Sequence, residues 1–247
     1  MKNTTLILLL ASITITTYGQ EQEIRKDLKA FRKVVASPRI NVILQKGDRE
    51  SIRLVYDGVS KNKINIEVRG KTLHLFLDQA RKVEKPSSRN DHYGTLNTMM
   101  YAGVSITAFV TYKDLELLEI RGNQQLTVRS PIESDEFRLR AYGENEINLE
   151  SLNTAYFKAS LYGKNELKIR NGWAIEQKYK LYGDNMIDTR ELKSDFASAS
   201  IFGEGRIRMN TSEEVRLDAF GEPTLYVDGG GYVNKRIVIG RTRVHSY

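Results

Sequence analysis

The chain has 247 residues, 40% apolar and 28% charged, with 38 Lys and Arg against 31 Asp and Glu and no cysteine. This balance excludes a chain disordered by composition, and the missing thiols exclude disulfides, thiolate metal sites, a cysteine nucleophile and a lipid-modified cysteine anchor. A formal charge of +7 admits anionic glycans, lipopolysaccharide or nucleic acid as partners, although most cations are interspersed with acids, as on a solvated strand face.

Residues 1–20 read as a secretory signal peptide. Lys2 supplies the positive start, Leu6 to Ala11 an apolar run that continues through Ile13 and Ile15, and Tyr18-Gly19-Gln20 a cleavage zone near residues 19–20. The run is short for a transmembrane span; the alternative is an uncleaved N-terminal anchor. No other stretch approaches spanning length, so the mature chain is expected to have no transmembrane segment. Residues 21–30 are polar and read as a linker.

From residue 31 the chain reads as strands. Ile40, Val42 and Leu44 follow Pro38 and end at Gly47-Asp48; Ile52, Leu54 and Tyr56 alternate with polar neighbours up to Asp57-Gly58. Ile64, Ile66 and Val68 precede a Gly70-Lys71 turn, and Leu73, Leu75 and Leu77 follow it. Period-two alternation is the signature of half-buried strands. Residues 78–100 break the pattern with Pro86, Ser87, Ser88, Asn90, Asp91 and Gly94, and read as one long loop. Its basic start, residues 80–89, is a candidate anion site or a solvated loop. Alternation resumes at Val104, Ile106, Ala108 and Val110 and runs to Tyr112.

Beyond Leu115 a phrase repeats: Ala141-Tyr142-Gly143-Glu144-Asn145, Leu161-Tyr162-Gly163-Lys164-Asn165, Leu181-Tyr182-Gly183-Asp184-Asn185, Ile201-Phe202-Gly203-Glu204-Gly205 and Ala219-Phe220-Gly221-Glu222-Pro223. The glycines are spaced 20, 20, 20 and then 18 residues apart, a period that means stacked supersecondary units. Each unit offers three inward residues before the glycine and two after it. They are Phe137, Leu139, Ala141 with Ile147, Leu149; Phe157, Ala159, Leu161 with Leu167, Ile169; and Gln177, Tyr179, Leu181 with Ile187, Thr189. The last two sets are Ala197, Ala199, Ile201 with Ile207, Met209, and Val215, Leu217, Ala219 with Leu225, Val227. The expected fold is an all-β, right-handed parallel β-helix or solenoid with rungs of about 20 residues. Residues 31–240 form one domain: 31–112 a less regular β-region, 113–228 the regular rungs, and 241–247 a tail.

The repeated residues have structural chemistry. Gly143, Gly163, Gly183, Gly203 and Gly221 are expected at corners with positive φ. Asn145, Asn165 and Asn185 suit the turns and can stack into an amide ladder. Tyr142, Tyr162, Tyr182, Phe202 and Phe220 form a ladder that steadies the rungs, or, as the alternative, an exposed recognition edge. Trp173, the only tryptophan, reads as packed over a corner between rungs, with an exposed glycan platform as the alternative.

His74, His92 and His245 lack metal-ligand spacing, and no nucleophile elbow, zincin or phosphate-loop motif occurs. Acid pairs such as Glu144 and Glu146 read as turn surface. Neither catalysis nor a cofactor is expected.

Several of these features together resemble the putative auto-transporter adhesin head GIN domain family, DUF2807, of exported Bacteroidetes proteins. The resemblance covers roughly residues 31–228. It rests on Phe31-Arg32-Lys33-Val34 leading to Ile40-Asn41-Val42, on Gly47-Asp48, on Val104 to Tyr112 followed by Leu115 to Ile120, and above all on the repeated glycine turns. The glycine of the family's Gly-Ile-Asn signature is replaced by Arg39, and its small turns are here aromatic-Gly-charged-Asn. The resemblance implies an exported β-helical adhesion or binding module, periplasmic or on the cell surface. Its partner would be a protein or glycan of the envelope or host surface rather than nucleic acid, and self-association stays open. The alternatives are an envelope scaffold for a protein partner and, last, a carbohydrate-active enzyme.

Overall fold

The computed structural model describes residues 22–91 and 94–247. The signal-peptide reading of residues 1–20 and His92 lie outside the described residues. The strands are β1 (Gln22–Asp27), β2 (Lys33–Ala36), β3 (Ile40–Lys46), β4 (Ser51–Asp57), β5 (Ile64–Arg69), β6 (Thr72–Leu77), β7 (Pro86–Asp91) and β8 (Gly94–Met99). They continue as β9 (Ser105–Tyr112), β10 (Leu117–Val128), β11 (Ile132–Leu149), β12 (Leu152–Ile169), β13 (Gly172–Gly221), β14 (Thr224–Asp228), β15 (Tyr232–Ile239) and β16 (Arg243–Ser246).

From β10 onward every pairing between successive strands is parallel, and β11 meets β12 residue for residue at a spacing of 20, from Ile132 opposite Leu152 to Leu149 opposite Ile169. This is a parallel β-solenoid of 20-residue rungs. Each rung of β11 to β13 has three segments, which in β11 are a short face at 132–134, a broad face at 136–141 and a second face at 144–149. The glycine corner separates the last two. All 25 inward residues anticipated for the five units are buried, the apolar ones in one continuous core and Gln177 and Thr189 among them as buried polar groups, because alternation leaves each strand only one set of side chains to place inside.

The N-terminal region extends two faces of the stack and then turns antiparallel. On the broad face β2 pairs with β10 and β6, and β6 pairs antiparallel with β5. On the second face β3 pairs with β10 and β9, β9 antiparallel with β4, and β4 antiparallel with β1.

Three expectations are corrected. The polar linker of 21–30 contains β1, an edge strand paired with β4; it is exposed on both faces apart from half-buried Ile24, so it carries no alternation to read. The long loop of 78–100 contains the β7–β8 hairpin, a separate two-stranded sheet. The tail of 241–247 contains β16, which pairs in register with β14, while β15 adds a rung segment against β13. Gly240 thus continues the glycine series by one more corner.

Candidate recognition face

The corner glycines lie over one another so closely that no side chain fits between rungs. Gly163 has φ +107, and a Cβ there would stand 2.3 Å from the carbonyl oxygen of Gly143. The same holds at Gly143, Gly183, Gly203 and Gly221, with distances of 2.1–2.5 Å to the oxygen of the glycine below. Two residues on, Asn145, Asn165 and Asn185 form a buried amide ladder. Asn145 Nδ2 donates to Asn165 Oδ1 at 2.8 Å, and Asn165 Nδ2 to Asn185 Oδ1 at 3.0 Å. Asn145 and Asn185 also donate to the carbonyls of Tyr142 and Tyr182, both at 3.2 Å.

On the outer side of the corner, Tyr142, Tyr162, Tyr182, Phe202 and Phe220 stack as near-parallel rings, with centroids 4.8–5.0 Å apart and planes within 3–5°. The Arg121 guanidinium closes one end, 4.4 Å over the Tyr142 ring, and is held by Glu119 at 2.6 Å. Ring faces within the ladder are therefore taken up by neighbours, and rings such as Tyr162, 36% exposed, present only edges. Sugar stacking requires a free ring face, so the ladder by itself is a margin and not a platform.

Trp173 is exposed, at 52%, and does not pack over a corner as anticipated. Ala174 fills the inward position of that segment, so alternation sends Trp173 outward, in register with Asn153. Nearby positions of the same rungs carry Tyr156, 54% exposed, with exposed Ile175 and Phe196. Tyr156 and Phe196 stand at the start of the broad face, on the side opposite the ladder, and Trp173, in register with Glu133 and Asn153, stands on the adjoining short face. The signal of this apolar corner in the sequence was the unusual apolar residue at outward positions 156, 175 and 196.

Between the two margins runs a strip of cations. Arg138 stands opposite Lys158, and Lys158 opposite Lys178, in consecutive rungs. The next outward column holds Arg140, Ser160 and Lys180. Arg138 pairs with Glu136 at 2.7 Å, which holds the Glu136 carboxyl below its usual range, and Arg140 lies 3.7 Å from Glu119. Among the described residues, Lys158, Lys178 and Lys180 have no carboxylate within 4.0 Å. The second face differs: Glu144 is opposite Lys164, and Lys168 opposite Asp188. Acids also repeat there: Glu146 is opposite Glu166, relieved where Gln125 and Asn148 donate to Glu146, and Asp184, Glu204 and Glu222 each follow one of the stacked corner glycines.

A separate cleft of about 560 Å³ lies where the ladder begins, lined by Pro38, Arg39, Val83, Met99, Gln124 and Tyr142 among others. Arg39 takes φ 73, a left-handed conformation natural to glycine. It bonds the nearly buried Glu84 at 2.7 Å, and the same carboxylate accepts from the Tyr101 amide at 2.6 Å. The basic stretch 80–89 is thus partly tied down by an ion pair rather than wholly solvated.

His74 sits on β6 opposite Val35 and Glu67, and His245 stacks on Tyr226 at 4.8 Å. Among the described residues no three His, Cys, Asp or Glu side chains gather as metal ligands, and no helix is long and apolar enough to cross a membrane.

A family model described as "Putative auto-transporter adhesin, head GIN domain" matches residues 30–231. Among solved structures, a putative adhesin from Bacteroides fragilis aligns with TM-score 0.71 at 17% identity, covering 93% of this chain and 98% of that one. A putative adhesin from Parabacteroides merdae aligns with TM-score 0.65 at 17% identity, covering 93% and 97%. A protein from Parabacteroides distasonis described as a putative lipid binding protein aligns with TM-score 0.63 at 12% identity, again covering 93% and 97%. At these identities the likeness is one of fold. No curated protein matches the chain.

Proposed function

Since this chain belongs to the putative auto-transporter adhesin head GIN domain family, we propose that it recognises its partner through the broad face, between the aromatic ladder and the Trp173 corner. The protein is an exported, envelope- or surface-associated, non-enzymatic adhesin-like solenoid. In this reading residues 31–240 act as one rigid unit behind a cleaved signal peptide. The ladder of Tyr142, Tyr162, Tyr182, Phe202 and Phe220 fixes the flatness of the face. The apolar corner of Tyr156, Trp173, Ile175 and Phe196 supplies desolvation energy.

The observation that carries the reading is the exposed Trp173 and Tyr156 on adjacent rungs, on an outward surface where alternation ordinarily places polar residues. Exposed apolar groups in a cluster mark interaction sites, and Trp and Tyr dominate interface energetics. The test is attachment of the purified protein to intact bacterial and host cells. Trp173→Ser with Tyr156→Ser is expected to reduce attachment at least tenfold while circular dichroism and melting stay unchanged. Attachment equal to that of the unaltered protein would overturn the reading.

A further inference from the structure

Resting on the broad face as the recognition surface, we propose that its ligand is a linear anionic polysaccharide. Its carboxylate or sulfate groups would lie along Arg138, Lys158 and Lys178, with Arg140 and Lys180 beside them.

The argument begins with the register. In a parallel sheet, residues one rung apart are held opposite each other, and like charges so placed are destabilising. Alternating sign relieves this at Glu144 and Lys164, and at Lys168 and Asp188, on the second face, and where Glu146 meets Glu166 there, Gln125 and Asn148 donate to Glu146. On the broad face the sign does not alternate along the column: Arg138, Lys158 and Lys178 follow one another, and the acids Glu136 and Glu176 stand only in the column beside them, where Glu136 pairs with Arg138. Lys158, Lys178 and Lys180 also lack a carboxylate within 4.0 Å among the described residues. An arrangement that opposes folding, concentrated on the face with apolar margins, is explained by a ligand that supplies the missing negative charge.

Geometry selects the class. Arg138, Arg140, Lys158 and Lys180 line a shallow groove of about 240 Å³ together with Ser160, Tyr142 and Tyr162, and Lys178 continues the column beyond it. The cations repeat at the spacing of the rungs, which the stacked rings set at 4.8–5.0 Å. One rung is close to the advance of one pyranose unit in an extended chain, so a charged sugar can meet a cation on every rung. A rigid flat strip suits a stiff linear chain with hydroxyls for Ser160. The free ring of Trp173, beyond the cations, offers the stacking face that the ladder lacks.

The experiment measures binding of the purified protein to polygalacturonate, heparin, neutral dextran and single-stranded DNA of matched charge. Saturable binding is expected to one or both anionic glycans and none to dextran, with affinity falling at least tenfold as salt rises from about 50 to about 200 mM. Lys158→Glu with Lys178→Glu should weaken binding at least tenfold, whereas Arg241→Ala with Arg243→Ala should leave it within twofold. Lys158→Glu alone places a carboxylate between two cations, so its melting temperature should hold or rise, separating lost binding from lost folding; Lys158→Gln is the neutral control.

Failure to bind either glycan, indifference to the lysine changes, or equal affinity for the DNA would each overturn the proposal. Cell attachment separates it from the reading it rests on. If Trp173→Ser abolishes attachment and the lysine pair does not, the recognition surface stands and the polyanion falls. If neither matters, both fall.

Discussion

Asn145 donates its Nδ2 to Oδ1 of Asn165 across 2.8 Å, one rung further along, and both side chains are almost wholly buried. Asn165 passes the bond on to Asn185 at 3.0 Å, so the middle amide serves two neighbours. Asn165→Leu would strand a donor below it and an acceptor above it. Leaving a buried polar group unmade costs about 1–3 kcal/mol. The expected loss is about 2 kcal/mol, or a melting temperature lower by about 4–8 °C, checked by thermal unfolding.

The corner glycines give a sharper contrast. Gly163→Ala meets both a positive φ and the Gly143 oxygen at 2.3 Å, and backbone must shift to admit it. A strained residue alone costs about 1–3 kcal/mol, so a loss at or above the top of that range is expected. Gly70 also has positive φ, at 54°, but nothing lies within 4 Å of a Cβ there. Gly70→Asn should therefore stay within about 1 kcal/mol of the unaltered protein, measured by urea unfolding of both variants.

A polar network lies inside the core at the third and fourth rungs. Tyr179 donates to Gln177 Oε1 at 2.5 Å and lies 2.9 Å from Thr189 Oγ1. Gln177 Nε2 donates to the Leu192 carbonyl and Ser194 Oγ, both at 2.9 Å. Burial pushes the Tyr179 phenol well above its usual range, so it remains a donor throughout. Tyr179→Phe keeps the volume and removes one hydroxyl from a closed set. It is expected to cost about 1–3 kcal/mol; an unchanged unfolding midpoint would show that the network contributes nothing net.

His74 supplies a pH dependence. Burial first, and then the Arg81 charge, lowers its folded pKa, with Arg69 adding to the shift and Glu67 and Glu119 opposing it. A lowered folded pKa means that the fold prefers the neutral ring. The associated stability is present above the unfolded value of about 6.5 and is lost as pH falls through the lower folded value. His74→Gln should flatten the change in urea midpoint between about pH 7 and pH 5. Carboxylates held low by arginines, such as Glu136 and Asp188, lose their contribution at lower pH and keep the two effects apart.

The regular rungs were legible because one physical rule, alternation about a closed core, acts on every residue from Phe137 to Val227. The Asn ladder followed from that register, and so did the ring stack. Elsewhere the rule weakens. β1 has little burial to write a period into the sequence, and β7–β8 forms a sheet of its own with Ser, Asn and Thr where apolar residues would mark a face. β15 is mostly exposed, with Ile237 and Val238 both open to solvent, so the rung that ends at Gly240 resembles a tail. Asn171 and Gly172 make Trp173 look like part of a corner, whereas the inward Ala174 beside it fixes its direction outward. The cation strip is invisible along the chain, since Arg138 and Lys178 each follow an acid two residues before them, Lys158 stands alone, and the three become neighbours only through the 20-residue register.

Arg39 takes up a left-handed backbone without the freedom of glycine, secured by Glu84 from across the β7–β8 approach. The interior corners have no such ion pair; glycine takes the conformation unaided, and Asn145 and Asn185 close the turn by donating to the Tyr142 and Tyr182 carbonyls. Because each interior rung touches only its two neighbours, a cut from one glycine to the next removes a complete module and rejoins like to like. Deleting residues 164–183 would join Gly163 to Asp184 and set Tyr162 against Phe202, a ring stacked on a ring. The length of the face is thus an editable quantity, changed in whole steps by duplication or loss, while its width stays fixed.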